Sequence, residues 1–296
     1  EQSRVRGCKF SGAVLTNLTQ DHLDFHITME NYFKAKAKLF SNLQKGSYAV
    51  INNDDKWSER FLSEVPEGVT VLTYGVKKNS GLMAVDIEFT SRGVNFLCVC
   101  GDEKEEIKLH LNGMFSVYNA LAAIGVGLSM GISMKTCKEA LERTRSVAGR
   151  FEIVNSDPMV IVDYAHTPDG LENILRAARE LTPKNANLIC LFGCGGDRDA
   201  TKRPKMGKIA QSLSDKIVVT SDNPRSEDPQ QIITDILSGL KLINSKTVFV
   251  EPDRQLAIEL LKKISKPEDV IIVAGKGHED YQILADRTIH FDDREE

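Results

Sequence analysis

Apolar positions fall into two rhythms along the chain. In the first, Ala13–Leu15 is a short apolar run, and the polar stretch Thr16–His26 reads as a loop. Thr28 then precedes Met29–Leu43, where Tyr32, Phe33, Leu39, Phe40 and Leu43 predict one side of a helix. Ser47–Ile51 reads as a buried strand, and Asp54 or Asp55 as the cap of a short helix ending near Leu62. Four strands follow, Val69–Tyr74, Ala84–Phe89, Val94–Cys100 and Ile107–Leu111, joined by Gly- and Lys-containing turns. Ala-rich Ser116–Met130 predicts a helix stopped by Gly131, and Lys135–Thr144 predicts another.

After Val147-Ala148-Gly149-Arg150 strands and helices alternate. Strands are expected at Met159–Asp163, Leu188–Phe192, Lys216–Thr220, Thr247–Val250 and Val270–Ala274. Helices are expected at Pro168–Leu181, Lys205–Ser214, Pro229–Leu240 and Arg254–Ile264. Such alternation predicts a mostly parallel, doubly wound sheet, with a domain boundary near Gly149 dividing residues 1–149 from 150–296. In open parallel sheets, chemistry gathers beyond the carboxyl ends of the strands. That rule selects residues 163–166, 193–203, 221–228 and 275–280, all rich in Gly, Asp, Arg or His.

Composition narrows the partners. The chain has 296 residues, 41% hydrophobic and 27% charged, with a net charge of −4. It offers no basic field for nucleic acid, and its longest apolar runs are far too short to span a membrane. Its 6 cysteines show no CxxC spacing, which fits reduced thiols rather than a disulfide framework or a zinc site.

Five groupings carry candidate chemistry. Thr16–His26 packs imidazoles and carboxylates into one segment, suited to a divalent cation that bridges phosphates, or equally to a hydrogen-bonded loop before a capped helix. Lys36 lies four residues from both Tyr32 and Phe40, near the apolar stripe, where a snorkelling lysine is the plainer account. Residues 193–199 form a glycine-rich turn followed by Lys202, Arg203 and Pro204, which favours an anionic ligand. Asp222, Asn223 and Arg225 can grip the ammonium and carboxylate of an amino acid, although an Asn-Pro turn with an incidental Arg has the same spelling. Residues 275–279 add a flexible turn and a carboxylate, or a solvated rim loop.

Seven strings in order, LTNLTQDHLDFH, MENYFKAK, GRFE, VDYAHTPDGL, GCGGDRD..KRP, SDNPR and AGKGHEDYQ, together resemble the Mur ligases that add the third residue of the peptidoglycan stem peptide. The resemblance runs from Arg4 to about His290. It implies an α/β architecture: an incomplete P-loop-type central ATPase domain, then a Rossmann-like doubly wound domain. It further implies ATP-dependent amide formation through an acyl phosphate on UDP-N-acetylmuramoyl-dipeptide, attacked by the amine of meso-diaminopimelate.

By the same resemblance, His22 would ligate Mg2+ and Lys36 would be carbamylated to N6-carboxylysine for that ion. Asn119 and Arg150 would contact the nucleotide and Asp163 its ribose. Arg198, Asp222, Asn223, Arg225, Gly275 and Glu279 would bind the added amino acid. The Arg of DNPR points to diaminopimelate, with a lysine-adding variant or a non-catalytic scaffold as alternatives. A cytoplasmic monomer without nucleic-acid or membrane partners is expected. The chain departs from the family pattern at Ser116, where Asn is usual, and at Ile27, where Gly is usual. It contains no GTxGKT phosphate loop and starts without Met, so a truncated form inactive by itself is expected.

Overall fold

The computed structural model describes residues 5, 7–90, 93–145, 147–241 and 246–296. Arg4 and Arg6, in the first segment of the resemblance, lie outside them. The chain divides into two compact units, Glu1–Arg145 and Ser146–Glu296.

The first unit is built on a six-stranded sheet. Its strands lie in chain order: β1 (Gly12–Leu15), β2 (Tyr48–Asn52), β3 (Thr70–Gly75), β4 (Leu82–Thr90), β5 (Gly93–Cys100) and β6 (Glu103–Leu109). β1 through β4 run parallel, and β4, β5 and β6 pair antiparallel. Because side chains alternate across a strand, β2 serves two cores. Val50 joins Tyr74, Leu82, Phe96 and Leu121 beneath α4 (Met114–Ser129), while Ala49 and Ile51 join the aromatic side chains of α2 (Met29–Ser41) and α3 (Ser58–Ser63). On that second face Phe33 stacks on Trp57, and Phe61 meets Phe33 and Phe40 edge-on. The unit closes with α5 (Met134–Arg143), whose cap Ser133 accepts a bond from the Thr136 amide.

Several expectations for this unit need correction. A one-turn helix, α1 (Leu23–His26), interrupts the loop expected over Thr16–His26. The α2 stripe is Tyr32, Phe33, Ala37 and Phe40, and Leu39 is exposed, because helical spacing from Phe33 and Phe40 selects position 37. Lys36 is exposed as well, in keeping with the snorkelling lysine that spacing favoured. Asp54 is no helix cap: its carboxylate accepts the amides of Val76, Lys77 and Lys78 and the Tyr118 hydroxyl. Asp55 accepts the Trp57 and Leu18 amides, placing it just ahead of α3.

The second unit has the alternating plan. Its six-stranded sheet has the order β11 (Val248–Val250), β10 (Lys216–Val219), β9 (Leu188–Phe192), β12 (Val270–Ala274), β8 (Met159–Asp163) and β7 (Glu152–Ser156). All neighbours are parallel except β7, an antiparallel edge. One strand face packs Val162, Ile189, Leu191, Val218, Ile271 and Val273 against α9 (Arg254–Ile264). The helices α6 (Pro168–Leu181), α7 (Arg203–Leu213) and α8 (Pro229–Leu237) contribute Leu171, Ile174, Met206, Ile232 and Ile236 to the buried set. Thr167, Asp228 and Asp253 cap α6, α8 and α9 with their side chains, and Pro168 and Pro229 start two of these helices without wasting a donor. A small hairpin of β13 (Tyr281–Ile283) and β14 (Thr288–His290) follows. Among the described residues no helix is long and apolar enough to cross a membrane.

Candidate functional site

The loops after β9, β10 and β12, three neighbouring strands, meet at the carboxyl edge of the second sheet. They come close because glycines let them. A Cβ on Gly193 would lie 2.5 Å from the Thr220 carbonyl oxygen, and one on Gly196 would lie 1.9 Å from that of Pro224. The Gly196 amide donates to the Asn223 carbonyl at 2.9 Å. Arg203, almost wholly buried at the start of α7, fastens this junction through Glu227 at 2.8 Å and Asp235 at 2.9 Å.

Within the junction, Asp222 is 6% exposed and Asn223 4% exposed. Asn223 is fully engaged: its Oδ1 accepts the Ile283 amide at 2.9 Å and its Nδ2 donates to Glu279 Oε2 at 2.9 Å. Arg225, at φ 53, turns its guanidinium back to the Gly196 carbonyl at 2.8 Å. Gly275 has φ 117, and a Cβ there would stand 3.3 Å from Asp222 Oδ2, so the strand end requires the missing side chain. Asp222 Oδ1 is buried and takes no hydrogen bond from any described residue. A buried carboxylate oxygen in that state is suited to an ammonium donor. The structure therefore gathers Asp222, Asn223, Arg225, Gly275 and Glu279. Arg198 lies on the neighbouring glycine-rich loop, exposed, and bonds only locally to the Asp197 carbonyl at 2.9 Å among the described residues.

Two basic residues of this edge were not singled out from sequence. Lys276 has no exposed surface and sits amid Asp222, Asn223 and Glu279. Arg254, 1% exposed, grips Asp293 with two bonds of 2.7 Å and reaches the carbonyls of Ser221 and Ala274, tying the ends of β10 and β12 together. The signal for Lys276 was available in its flanking glycines, which leave a lysine between two positive-φ residues, Gly275 and Gly277. Arg254 follows a capping Asp and reads as an ordinary helix-start residue.

Asp163, at the end of β8, accepts the Phe151 amide at 2.8 Å and the Ala165 amide at 2.7 Å. Burial holds its carboxyl above the ordinary range, partly countered by those two bonds and by the Arg150 and His166 charges. The Arg150 guanidinium lies 4.6 Å from the Tyr164 ring, and His278 is 5.3 Å from the same ring. Gly149 and Gly277 permit the approach: a Cβ on Gly149 would be 2.1 Å from the His278 nitrogen. Arg150 and Asp163 thus flank one half-buried aromatic step, a surface on which a planar base or sugar can lie.

In the first unit, His22, His26 and Lys36 surround Tyr32. His26 stacks on its ring at 4.9 Å, His22 approaches edge-on at 6.4 Å, and the Lys36 ammonium is 5.3 Å from its centroid. Asp21 Oδ2 stands 3.3 Å from His22 Nε2. Burial, then the Asp21 charge, pushes the Tyr32 phenol up. His22 and Lys36 are both exposed, and Asn119 is exposed on α4. His22 and Lys36 therefore share one face, while Asn119 is on a separate helix.

Comparison with known proteins supplies two family matches. The Mur ligase middle domain matches residues 1–127, and the Mur ligase glutamate ligase domain matches residues 149–277. A UDP-N-acetylmuramoyl-L-alanyl-D-glutamate--2,6-diaminopimelate ligase of Clostridium botulinum is 54% identical over 99% of this chain. One of the same name from Synechococcus elongatus is 48% identical over 100% of it. The chain spans 59% of the length of each of these relatives. A solved structure of a ligase of that name is 33% identical with TM-score 0.60, covering 99% of this chain and 60% of that one. A pseudomurein peptide ligase type C from Methanothermus fervidus, 20% identical, shares the fold with TM-score 0.74 over 92% of this chain and 62% of its own.

Proposed function

Because the chain belongs to the Mur ligases, we propose that it carries the amino-acid-binding and part of the ATP-binding machinery of a ligase that joins meso-diaminopimelate to UDP-N-acetylmuramoyl-L-Ala-D-Glu. Residues 1–149 are assigned to the ATP-binding domain and 150–296 to the amino-acid-binding domain. The observation that carries the proposal is the junction of buried Asp222 and Asn223 with half-buried Arg225 and Glu279 around Gly275, with an unsatisfied Asp222 oxygen. Asp222 and Glu279 are suited to the ammonium of the incoming amino acid. Arg225 and Arg198 are suited to its carboxylates, since a guanidinium matches a carboxylate bidentately. A second carboxylate on the added residue explains a need for Arg225 that lysine would not create.

Arg150 and Asp163 are assigned to the nucleotide and its ribose, supported by the half-buried Tyr164 ring beside Arg150, and Asn119 to the nucleotide. ATP would convert the peptide's terminal carboxylate to an acyl phosphate, which the amine then attacks with loss of phosphate.

For the metal, the donor set fits in chemistry. Lys36 is exposed, so CO2 can reach its amine, and the resulting carbamate would stand with His22 around Tyr32. Together they would hold Mg2+, which when bound neutralises charge on phosphate oxygens. Among the described residues no three His, Cys, Asp or Glu side chains group for a metal, so this assignment depends on the Lys36 modification. Intact-mass measurement in bicarbonate checks it: a gain of one CO2 that Lys36→Ala abolishes supports it, and no such gain refutes it. A monomeric, cytoplasmic role is proposed with the same ligase assignment.

The deciding experiment titrates the chain calorimetrically with meso-diaminopimelate and with L-lysine. Selective binding of diaminopimelate is expected. Equal binding of both defeats the specificity assignment, and binding of neither defeats the amino-acid site.

A further inference from the structure

Lys276 lies at the centre of the junction with no exposed surface. Its ammonium donates to the Tyr281 carbonyl and stands 3.5 Å from both Asn223 Oδ1 and Glu279 Oε2. Asp222 Oδ1 is 4.0 Å away, within reach of the charge but beyond hydrogen-bonding distance. A fully buried ammonium persists only among acceptors, and buried carboxylates only beside a cation or donors. The cation and its oxygens therefore depend on each other.

The geometry points to Lys276 as the positioning residue of the amino-acid site, a proposal that rests on the function argued above for its ligand. Two consequences follow from where its charge lies. First, Asn223 Oδ1 is shared between Lys276 and the Ile283 amide, which leaves the amide nitrogen to face Glu279. Glu279 Oε2 is then engaged by Asn223 and faced by Lys276, so the carboxylate cannot swing freely. Second, Asp222 has a counter-cation close by while its Oδ1 stays without a hydrogen bond from the described residues. An ammonium ligand thus meets two carboxylates set against a single buried cation, with one acceptor unspent. Lys276 does this from behind the pocket residues, through them rather than through ligand contact.

The test uses the full chain and two substitutions, Lys276→Met, close in shape without charge, and Lys276→Ala. Without ligand, NMR follows hydrogen exchange at the Asn223 side-chain amide and the Ile283 backbone amide. Faster exchange at both sites in Lys276→Met is expected, while the melting transition is retained. Affinity for meso-diaminopimelate should fall at least about 10-fold, the scale of a lost charge-assisted bond. In Lys276→Ala, added propylammonium should restore protection and affinity, whereas 1-propanol, its neutral counterpart, should not.

Unchanged exchange in Lys276→Met overturns the proposal, as does equal rescue by the alcohol, which marks Lys276 as packing alone. If Lys276→Met fails to fold, refolding of Lys276→Ala in propylammonium against 1-propanol makes the same distinction. If the unaltered chain binds no diaminopimelate yet the exchange and rescue results hold, the positioning role stands and the ligand assignment falls.

Discussion

The two candidate sites are built in opposite ways. In the second unit the pocket groups Asp222, Asn223 and Lys276 are buried, and each is tied to a neighbouring loop by named bonds or a close charge. In the first unit His22 and Lys36 are exposed, arranged around the ring of Tyr32 by edge and cation–π contacts. Such exposed contacts contribute little to stability, whereas a buried polar network costs much when one member is lost. The difference teaches that the proposed amino-acid pocket is part of the fold of its unit, while the proposed metal face is laid upon a fold made elsewhere.

The largest test of that contrast is Arg254→Ala. Its guanidinium and Asp293 are both buried, and removing one partner strands the other. A loss of about 3–5 kcal/mol is expected, measured by urea denaturation. Lys36→Ala and His22→Ala should each stay within about 0.5 kcal/mol of the parent. Comparable losses at Arg254 and Lys36 would erase the distinction.

Next in size is Arg225→Ala. Arg225 is only half-buried and bonds to backbone carbonyls of Gly196 and Asn223. Its loss should weaken diaminopimelate binding about 10- to 100-fold, the worth of a charged hydrogen bond, and leave lysine binding unchanged. Calorimetry reads both; a parallel loss for lysine would assign Arg225 to the shape of the loop rather than to a second carboxylate.

A smaller effect, of opposite sign, is expected in the first unit. Ile27 follows α1 with φ 67 and is exposed, a backbone state that a β-branched residue enters at a cost. Ile27→Gly should stabilise the chain by about 1 kcal/mol, seen as a higher urea midpoint with unchanged slope. No gain would mean that glycine's added freedom in the unfolded chain cancels the relief.

What was legible follows the same division. The alternating β8-to-β12 plan could be read because each parallel strand is a continuous apolar run, as in LICLF and VIIVA. β7 was not, since Glu152–Ser156 is a largely exposed edge without a clean period, paired only after the chain turns back on β8. The short β13–β14 hairpin has too few residues to show alternation. Asp222, Asn223 and Arg225 announced themselves by chemistry on one loop. Lys276 and Arg254 did not, because Arg254 acts on oxygens 20 to 39 residues away and Lys276 meets Asn223 53 residues away. Lys36 was placed near an apolar stripe by spacing, and only the helix's rotation, with Ala37 buried, shows it facing outward.

The smallest expected effect is also a contrast between the units, in the behaviour of one carboxylate each, half-buried Asp54 and buried Asp163. For Asp54, burial pulls the pKa up, but three backbone amides and the Tyr118 hydroxyl outweigh it and hold the carboxyl below its ordinary value of 3.8. For Asp163, deeper burial wins over two amides and nearby cations, and the carboxyl is held above 3.8. The signs then differ. Asp54 binds its proton less readily when folded, so its contribution is complete above 3.8 and is lost as pH falls through the folded value. Asp163 binds its proton more readily when folded, so its effect on stability is most favourable below 3.8 and declines as pH rises through the folded value. Carbon-13 titration of the two carboxyls should therefore give midpoints on opposite sides of 3.8. Asp54→Asn should narrow its stability difference from the parent as the pH is lowered, because protonation of Asp54 removes the same charge that the substitution removes. A constant difference across that range would show that hydrogen-bond count and not charge makes Asp54 the brace between the 76–78 turn and α4.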